Sequence, residues 1–443
     1  MTFKSSAMFA WRLIFPRTGK KSSARRSIAG AILCIGISII PLVVVMSFAD
    51  GMIGGMTQRL IGLSTCELKA RVRVGGKESR SYDALKDFAR KLAEVDGVMD
   101  TYPHLSCDAL AAGKTYRTGA NIRAVEPDIF TRNPDYKDLF KLCTGNYDDF
   151  IKNKRSAVLG EKIAELLKVQ PGDSFRLIMT KSAADGRFTP VVSTFKVSAV
   201  VSSGYQELDS LWIFIPIETA FSVLPPGSTE FSVLVKTEKG VSPDLPRIKK
   251  ECSLLSYGIA RVSSWDELNR MKFQMFSSSK VMLTFIMLLI VLVASVNISS
   301  ALVMLVMERR KEIAILKSVG ATNSGISISF LIAGVACGLM GTLIGLPVGI
   351  MFAINSNLLI VSLEKLVNLG VKVLYVLGGN SAESFEAVQL LNPAYYLTEI
   401  PVSIPLGELF LISSSVILLS LVVSVIPAIK AGKERPLETF RKC

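Results

Sequence analysis

Between Glu308 and Gly320 the 443-residue chain changes character within a few positions. Glu308, Arg309, Arg310, Lys311 and Glu312 come first, then Ile313-Ala314-Ile315-Leu316, then Lys317 and Gly320. That order suits a short surface helix, with its charges in water and Ile313, Leu316 and Val319 turned inward. Gly320 ends it, and Thr322 or Asn323 can cap the helix that follows. A passive stop-transfer turn needs only two or three basic residues, and the ordered apolar run exceeds that. The segment reads as a surface that docks a partner and passes its movement to the elements on either side.

Catalytic patterns are missing elsewhere. The one histidine, His104, excludes a paired-histidine zinc motif and falls in a predicted strand as a structural residue. No G-x-x-x-x-G-K-[ST] occurs, so this chain is expected neither to hydrolyse ATP nor to hold a cofactor or metal of its own. Asp148 and Asp149 read as solvated loop charges. Of seven cysteines, Cys66, Cys107, Cys143 and Cys252 share one region, and their wide spacing favours free thiols over a disulfide framework.

The elements around Glu308–Gly320 are membrane-length. Half the residues are apolar and mean hydropathy is +0.42, too high for an ordinary soluble chain. Charge-free runs at 28–49, 281–306, 327–353 and 409–429 can each cross a hydrocarbon core of about 30 Å. The first is too long for a signal-peptide core and reads as an uncleaved anchor. Leu33 before Cys34 argues against lipidation. Lys and Arg crowd three short segments, 1–27, 307–326 and 430–443, which carry +12 of the formal charge of +14. These are expected in the cytoplasm, leaving 50–280 and 354–408 outside. Basic residues at membrane boundaries, rather than on one folded face, exclude nucleic acid as the partner.

The fold class expected is an integral membrane protein of four helices with a large α+β domain between the first two. ELKARVRV (67–74) alternates as a half-buried strand, and Leu85, Phe88, Ala89, Leu92 and Val95 recur at helical spacing. An α+β core at about 50–139 and 211–280 would hold a β-rich insert at about 140–210. Residues 263–280 are amphipathic and continue into the second span. In the third, Gly334, Gly338, Gly341, Gly345 and Gly349 fall within an arc of about 80°, a face for close helix packing. In the second, Ser295, Asn297, Ser299 and Ser300 should face protein. No ionisable residue lies within any span, which speaks against an ion or proton path.

VNISSALVMLVMERRKEIAILKSVGAT (296–322) resembles the permease subunits of FtsX/MacB-type ABC transporters, most of all the lipoprotein-releasing LolC/LolE branch. FAWRLIF (9–15), LGEKIAELLKVQPGDSFRLI (159–178), FKVSAVVSSGYQELDSLWIFIPIETA (195–220) and IPAIKAGKERPLETFR (426–441) extend the resemblance over almost the whole chain. It implies a MacB-like periplasmic domain and a dimer of like permease subunits in the bacterial inner membrane. Two partner ATPases would bind ATP and magnesium and dock at Glu308–Gly320. The cargo would be an acylated lipoprotein, lifted from the outer leaflet and handed to a periplasmic carrier. The resemblance places membrane lipid and cargo near Ile40, Val43, Val44 and Met46. It places a carrier hook in 181–192, at Arg187, Phe188 and Pro190. A MacB-like efflux mechanotransmitter and an FtsX-like regulator of a cell-wall hydrolase are the alternatives. Gly51, Gly54 and Gly55 are expected to weaken the helix beyond the first span.

Overall fold

The computed structural model describes residues 8, 10–12, 23–182, 188–238, 243–377, 401–404 and 406–434. They form two compact units. One draws its described residues from 8–51, 276–377 and 401–434, and the other from 52–275.

The first long helix, α1, covers Ser23–Arg59. It passes straight through Gly51, Gly54 and Gly55, where weakening was expected. Gly51 answers a packing need instead: a Cβ there would lie 2.1 Å from the Pro401 carbonyl oxygen. A π-helical turn, Leu60–Thr65, follows α1.

The second unit is built on one ten-stranded mixed sheet. Its elements are β1 (Leu68–Val72), α2 (Tyr82–Ala93), β2 (Val98–Ala112), β3 (Arg117–Val125), α3 (Pro134–Leu139), β4 (Lys141–Gly145) and β5 (Ser156–Gly160). Next come α4 (Glu161–Leu167), β6 (Ser174–Ser182), β7 (Phe188–Ser202), β8 (Trp212–Pro216), β9 (Thr229–Thr237), α5 (Leu245–Leu255) and β10 (Ala260–Ser264). The strand order is β10-β1-β9-β2-β3-β8-β5-β7-β4, with β6 paired to β2 and β7. Interval 140–210 is rich in strands, and these join the common sheet through β5–β8 and β2–β6 pairing rather than closing one of their own. In β1, Leu68, Ala70 and Val72 are buried as the alternation requires, and the apolar stripe of α2 packs on the same core. Val74 lies beyond the strand and is 64% exposed.

His104 on β2 is buried and structural. Its Nε2 accepts from Arg123 Nε at 3.1 Å, and Nδ1 lies 3.3 Å from Ser232 Oγ. Burial first, then the charges of Arg123 and Lys69, push the imidazole well below its ordinary pKa. Arg123 stacks on Trp212 at 4.2 Å and donates to the Ser64 carbonyl of the π-turn at 2.8 Å. Cys66, Cys107, Cys143 and Cys252 are free thiols.

Short helical turns aside, the chain continues with α6 (Arg270–Glu308), α7 (Arg310–Ser318), α8 (Asn323–Ile354), α9 (Ser356–Leu377) and α10 (Leu406–Lys433). Among the described residues four helices, α1, α6, α8 and α10, are long and apolar enough to cross a membrane. Pro41, Pro347 and Pro427 interrupt α1, α8 and α10, whereas α6 runs 39 residues without proline. Within this unit α8 packs most extensively on α10.

Candidate functional site

The five glycines of the stripe on α8, Gly334, Gly338, Gly341, Gly345 and Gly349, are buried, and each sits where a side chain would collide with another helix. They divide between two neighbours. Cβ atoms at Gly334 and Gly338 would strike Ser424 and Ser420 of α10 at 1.8 and 2.4 Å. Those at Gly341, Gly345 and Gly349 would strike Ile35, Gly36 and Val43 of α1 at 2.6–2.9 Å. One stripe thus seats α10 at one end and α1 at the other, because small residues let backbones approach closely.

Helix α7 follows α6 after Arg309 and is tied to the end of α10. Lys317 Nζ donates to the Gly432 and Glu434 carbonyls, both at 2.7 Å. These lie at the C-terminal end of α10, where carbonyls lack partners within the helix. Partial burial holds Lys317 below the ordinary lysine pKa, against the pull of Glu434. Arg310 pairs with the Glu434 carboxylate at 2.8 Å, and Arg309 pairs with Glu312. Gly432 lets α10 meet the start of α8, since a Cβ there would lie 2.1 Å from Ser327 Oγ. Ile313 and Ala314 are fully buried and Leu316 is half-buried. Val319, expected inward, is 83% exposed, because α7 ends at Ser318 and Gly320 turns the chain at φ +101°. Lys311, Ile315 and Val319 form an outward strip at four-residue spacing. Thr322 caps α8, accepting from the Gly325 amide at 3.2 Å. Glu308 closes α6. The partners Gly432 and Glu434 had no local signature beyond the charges of the tail.

The opposite ends of these helices meet in an ionic cluster absent from the sequence reading. Lys280 of α6 bridges Asp50 of α1, at 2.8 Å, and Glu408 of α10, while Ser403 Oγ donates to Asp50 at 2.7 Å. Nearby, Leu42, Met46, Met287, Val291, Leu411 and Ile412 line a narrow apolar crevice between α1, α6 and α10.

The residues assigned to lipid separate here. Met46 lines that crevice, and Ile40 and Val44 are half-buried. Val43 is completely buried against Gly349 and presents nothing to lipid. Of the polar residues of α6, Ser295 is buried and donates to the Val291 carbonyl at 2.8 Å. Asn297 is exposed at its edge but donates through Nδ2 to Cys34 Sγ of α1 at 3.0 Å, whereas Ser300, expected to face protein, is exposed. Arg187 lies outside the described residues. Phe188 opens β7, paired with Ser182, and Pro190 is exposed opposite Thr180.

Within the sheet unit, the turn at 203–209 holds residues of two long helices. Arg59 of α1 donates through Nε to the Ser203 carbonyl at 2.5 Å, and Lys272 of α6 pairs with Glu207 at 2.6 Å. Asp209 fixes the turn by accepting from the Ser203 amide and hydroxyl and from Ser202 Oγ. Burial raises the Asp209 pKa and outweighs these hydrogen bonds. At Glu207 burial acts in the same sense, but hydrogen bonds from Lys272 and Tyr205 hold it below the usual carboxylate value. Among the described residues no cluster of His, Cys, Asp or Glu could hold a metal ion.

A MacB-like periplasmic core domain matches residues 28–245, and an FtsX-like permease C-terminal domain matches 284–436. The chain belongs to the FtsX/MacB-type permeases. It is 25% identical over 427 residues to the lipoprotein-releasing system transmembrane protein LolC of Neisseria meningitidis serogroup B, covering 94% of this chain and 93% of that protein. It is 25% identical over 288 residues to LolE of Haemophilus influenzae, covering 64% of each. The periplasmic region of MacB from Actinobacillus actinomycetemcomitans aligns with 18% identity and a TM-score of 0.31, covering 48% of this chain and 94% of that one. As a permease of this kind the chain is a multi-pass inner-membrane protein of the LolC/LolE branch, with its α+β domain outside the cytoplasm.

Proposed function

We propose that this permease is the non-catalytic subunit of an ATP-driven complex that lifts acylated lipoproteins from the outer leaflet of the inner membrane and passes them to a periplasmic carrier. The observation that carries the reading is the fastening of α7 to the end of α10 by Lys317 and Arg310. A push on α7 reaches α10 through Lys317, and reaches α6 and α8 through the chain itself. The similarity to LolC along more than nine-tenths of both chains supports the choice of cargo.

In this reading two ATPase subunits bind ATP and magnesium and dock on the outward strip of Lys311, Ile315 and Val319. Both termini and α7 lie in the cytoplasm, as the excess of Lys and Arg favours. A second like subunit covers Ser300, which a lone subunit would leave against lipid. Movement leaves through Arg59 and Lys272, which hold the 203–209 turn. Ile40, Val44 and Met46 contact the acyl chains, and the β6–β7 hairpin with Phe188 and Pro190 engages the carrier. Extraction costs about 0.8 kcal/mol per buried CH₂, so a driven machine is required, yet nothing need cross the bilayer.

The deciding experiment reconstitutes the complex in vesicles with a triacylated lipoprotein and a soluble carrier, then adds ATP. Release to the carrier is expected, and Lys317→Met should lower it while the ATPases stay bound. ATP hydrolysis with all lipoprotein retained in the vesicle would overturn the reading in favour of efflux or hydrolase regulation.

A further inference from the structure

Helix α8 ends at Ile354, and after the single residue Asn355 α9 runs for 22 residues from Ser356. Among the described residues, the element α9 touches most is α8. Leu358, Leu363, Leu366, Leu369 and Val373 are 51–69% exposed. Five bare aliphatic side chains within 16 positions are more than a soluble surface tolerates.

The polar residues are not scattered. At about 100° per residue, Asn357, Glu364, Lys365, Asn368 and Lys372 fall in an arc of about 100°, shared only with Val361 and Tyr375. The remainder of the helix is aliphatic apart from Ser356, Ser362 and Gly370. Ser362 satisfies its hydroxyl on the Leu358 carbonyl at 2.7 Å, so it adds no demand for water.

Two observations favour lipid as the cover. The helix starts within one residue of the end of a membrane span, so its first turn is fixed at the depth where headgroups begin. Its exposed aliphatic face also continues from Met351 and Ile354, 61% and 52% exposed on the last turn of that span. A helix of this length could instead cross the bilayer, but Glu364 and Lys365 would then lie deep in hydrocarbon. Lying flat keeps every charge at the surface, and the two lysines against one glutamate suit anionic headgroups.

We propose that α9 lies in the headgroup layer on the side of the membrane reached by the Ile354 end of α8. Its leucine and valine face sits among acyl chains, and Lys365 and Lys372 meet lipid phosphates. This goes beyond lipoprotein release and stands whether or not that reading holds.

The test uses the full chain in its ATPase complex, in nanodiscs of phosphatidylethanolamine and phosphatidylglycerol. A ketone-bearing amino acid, which leaves the native thiols untouched, carries a nitroxide at one position at a time: 358, 365, 366, 368, 369, 372 or 373. Collision with dissolved oxygen should exceed collision with a water-soluble nickel chelate by about threefold or more at 358, 366, 369 and 373, and the ratio should invert at 365, 368 and 372. Chelate access at every position would place α9 in water and overturn the proposal. Oxygen access at every position would make it a span. Exclusion of both reagents along the aliphatic face would assign that face to protein, with spin–spin broadening marking a second copy and its absence another partner. Retained ATPase association in each labelled variant confirms that the fold under test is intact.

Discussion

The two ends of the membrane helices are fastened by different chemistry. At the α7 end a lysine donates to main-chain carbonyls of Gly432 and Glu434, and Gly432 lets α10 meet α8 without an intervening side chain. At the far end Asp50, Lys280, Glu408 and Ser403 meet through side chains alone. Main-chain carbonyls do not titrate and cannot swing away. Carboxylates about a third exposed exchange readily with water and salt. The α7 end therefore has main-chain fastenings beside its Arg310–Glu434 pair, and the far end has side-chain fastenings alone. That asymmetry is what the proposed function asks of a machine driven from one side and opening on the other.

The comparison can be broken most severely through what both ends share, the glycine stripe of α8. Gly338→Leu drives a side chain into Ser420 and should cost about 3 kcal/mol or more. Gly370→Leu, at a position with nothing within 4 Å, should be neutral or slightly stabilising. Denaturation midpoints in mixed detergent micelles would compare them, and equal midpoints would remove the stripe as a packing face. Next in size is Lys317→Met. Loss of two charge-assisted hydrogen bonds of about 1.5–3 kcal/mol each should reduce lipoprotein release at least tenfold, with ATPase binding retained and Lys317→Arg partly restoring release.

The sheet unit supplies a pH response that neither end should share. His104 is buried neutral with its folded pKa depressed, so its contribution is fully present above the unfolded value of about 6.5. Below that value the unfolded chain takes up the proton first, and stability falls by about 1.4 kcal/mol per pH unit. Urea melts of the full chain followed at Trp212 and Trp265 should show this slope between pH 6.5 and 5, and His104→Gln should flatten it. The smallest effect belongs to the far end. Raising salt from about 0.1 to 1 M should weaken the Lys280 pairs by about 1 kcal/mol or less. Spin-label distances between α1 and α10 should broaden at that end and stay unchanged near Gly432. Equal broadening at both ends would abolish the contrast.

Much of the helical layer was legible because membrane spans announce themselves by composition. Charge-free runs located α1, α6, α8 and α10, and the alternation of Leu68, Ala70 and Val72 located β1. Helix α9 was missed because Glu364, Lys365 and Lys372 break its apolar run and no packing partner imposes a narrow stripe. The single sheet could not be read, since parallel pairing of β3 with β8 joins residues that share no local pattern. The far-end cluster was hidden for the same reason: Asp50 and Lys280 lie 230 residues apart. At α7 the charges and buried Ile313 were visible locally, whereas the exposure of Val319 depended on α7 ending at Ser318, one residue before it. The Ser203–Asp209 turn stood out through resemblance alone, and its grip on Arg59 and Lys272 needed three dimensions.

Prolines divide the four long helices into two mechanical kinds. Pro41, Pro347 and Pro427 each remove a rung from the hydrogen-bond ladder and give α1, α8 and α10 a place to bend. Helix α6 has none along its 39 residues, a column of about 58 Å. Under the axial load that the proposed function implies, the three notched helices flex before the unnotched one does, which gives α6 the part of a strut and the others that of hinges.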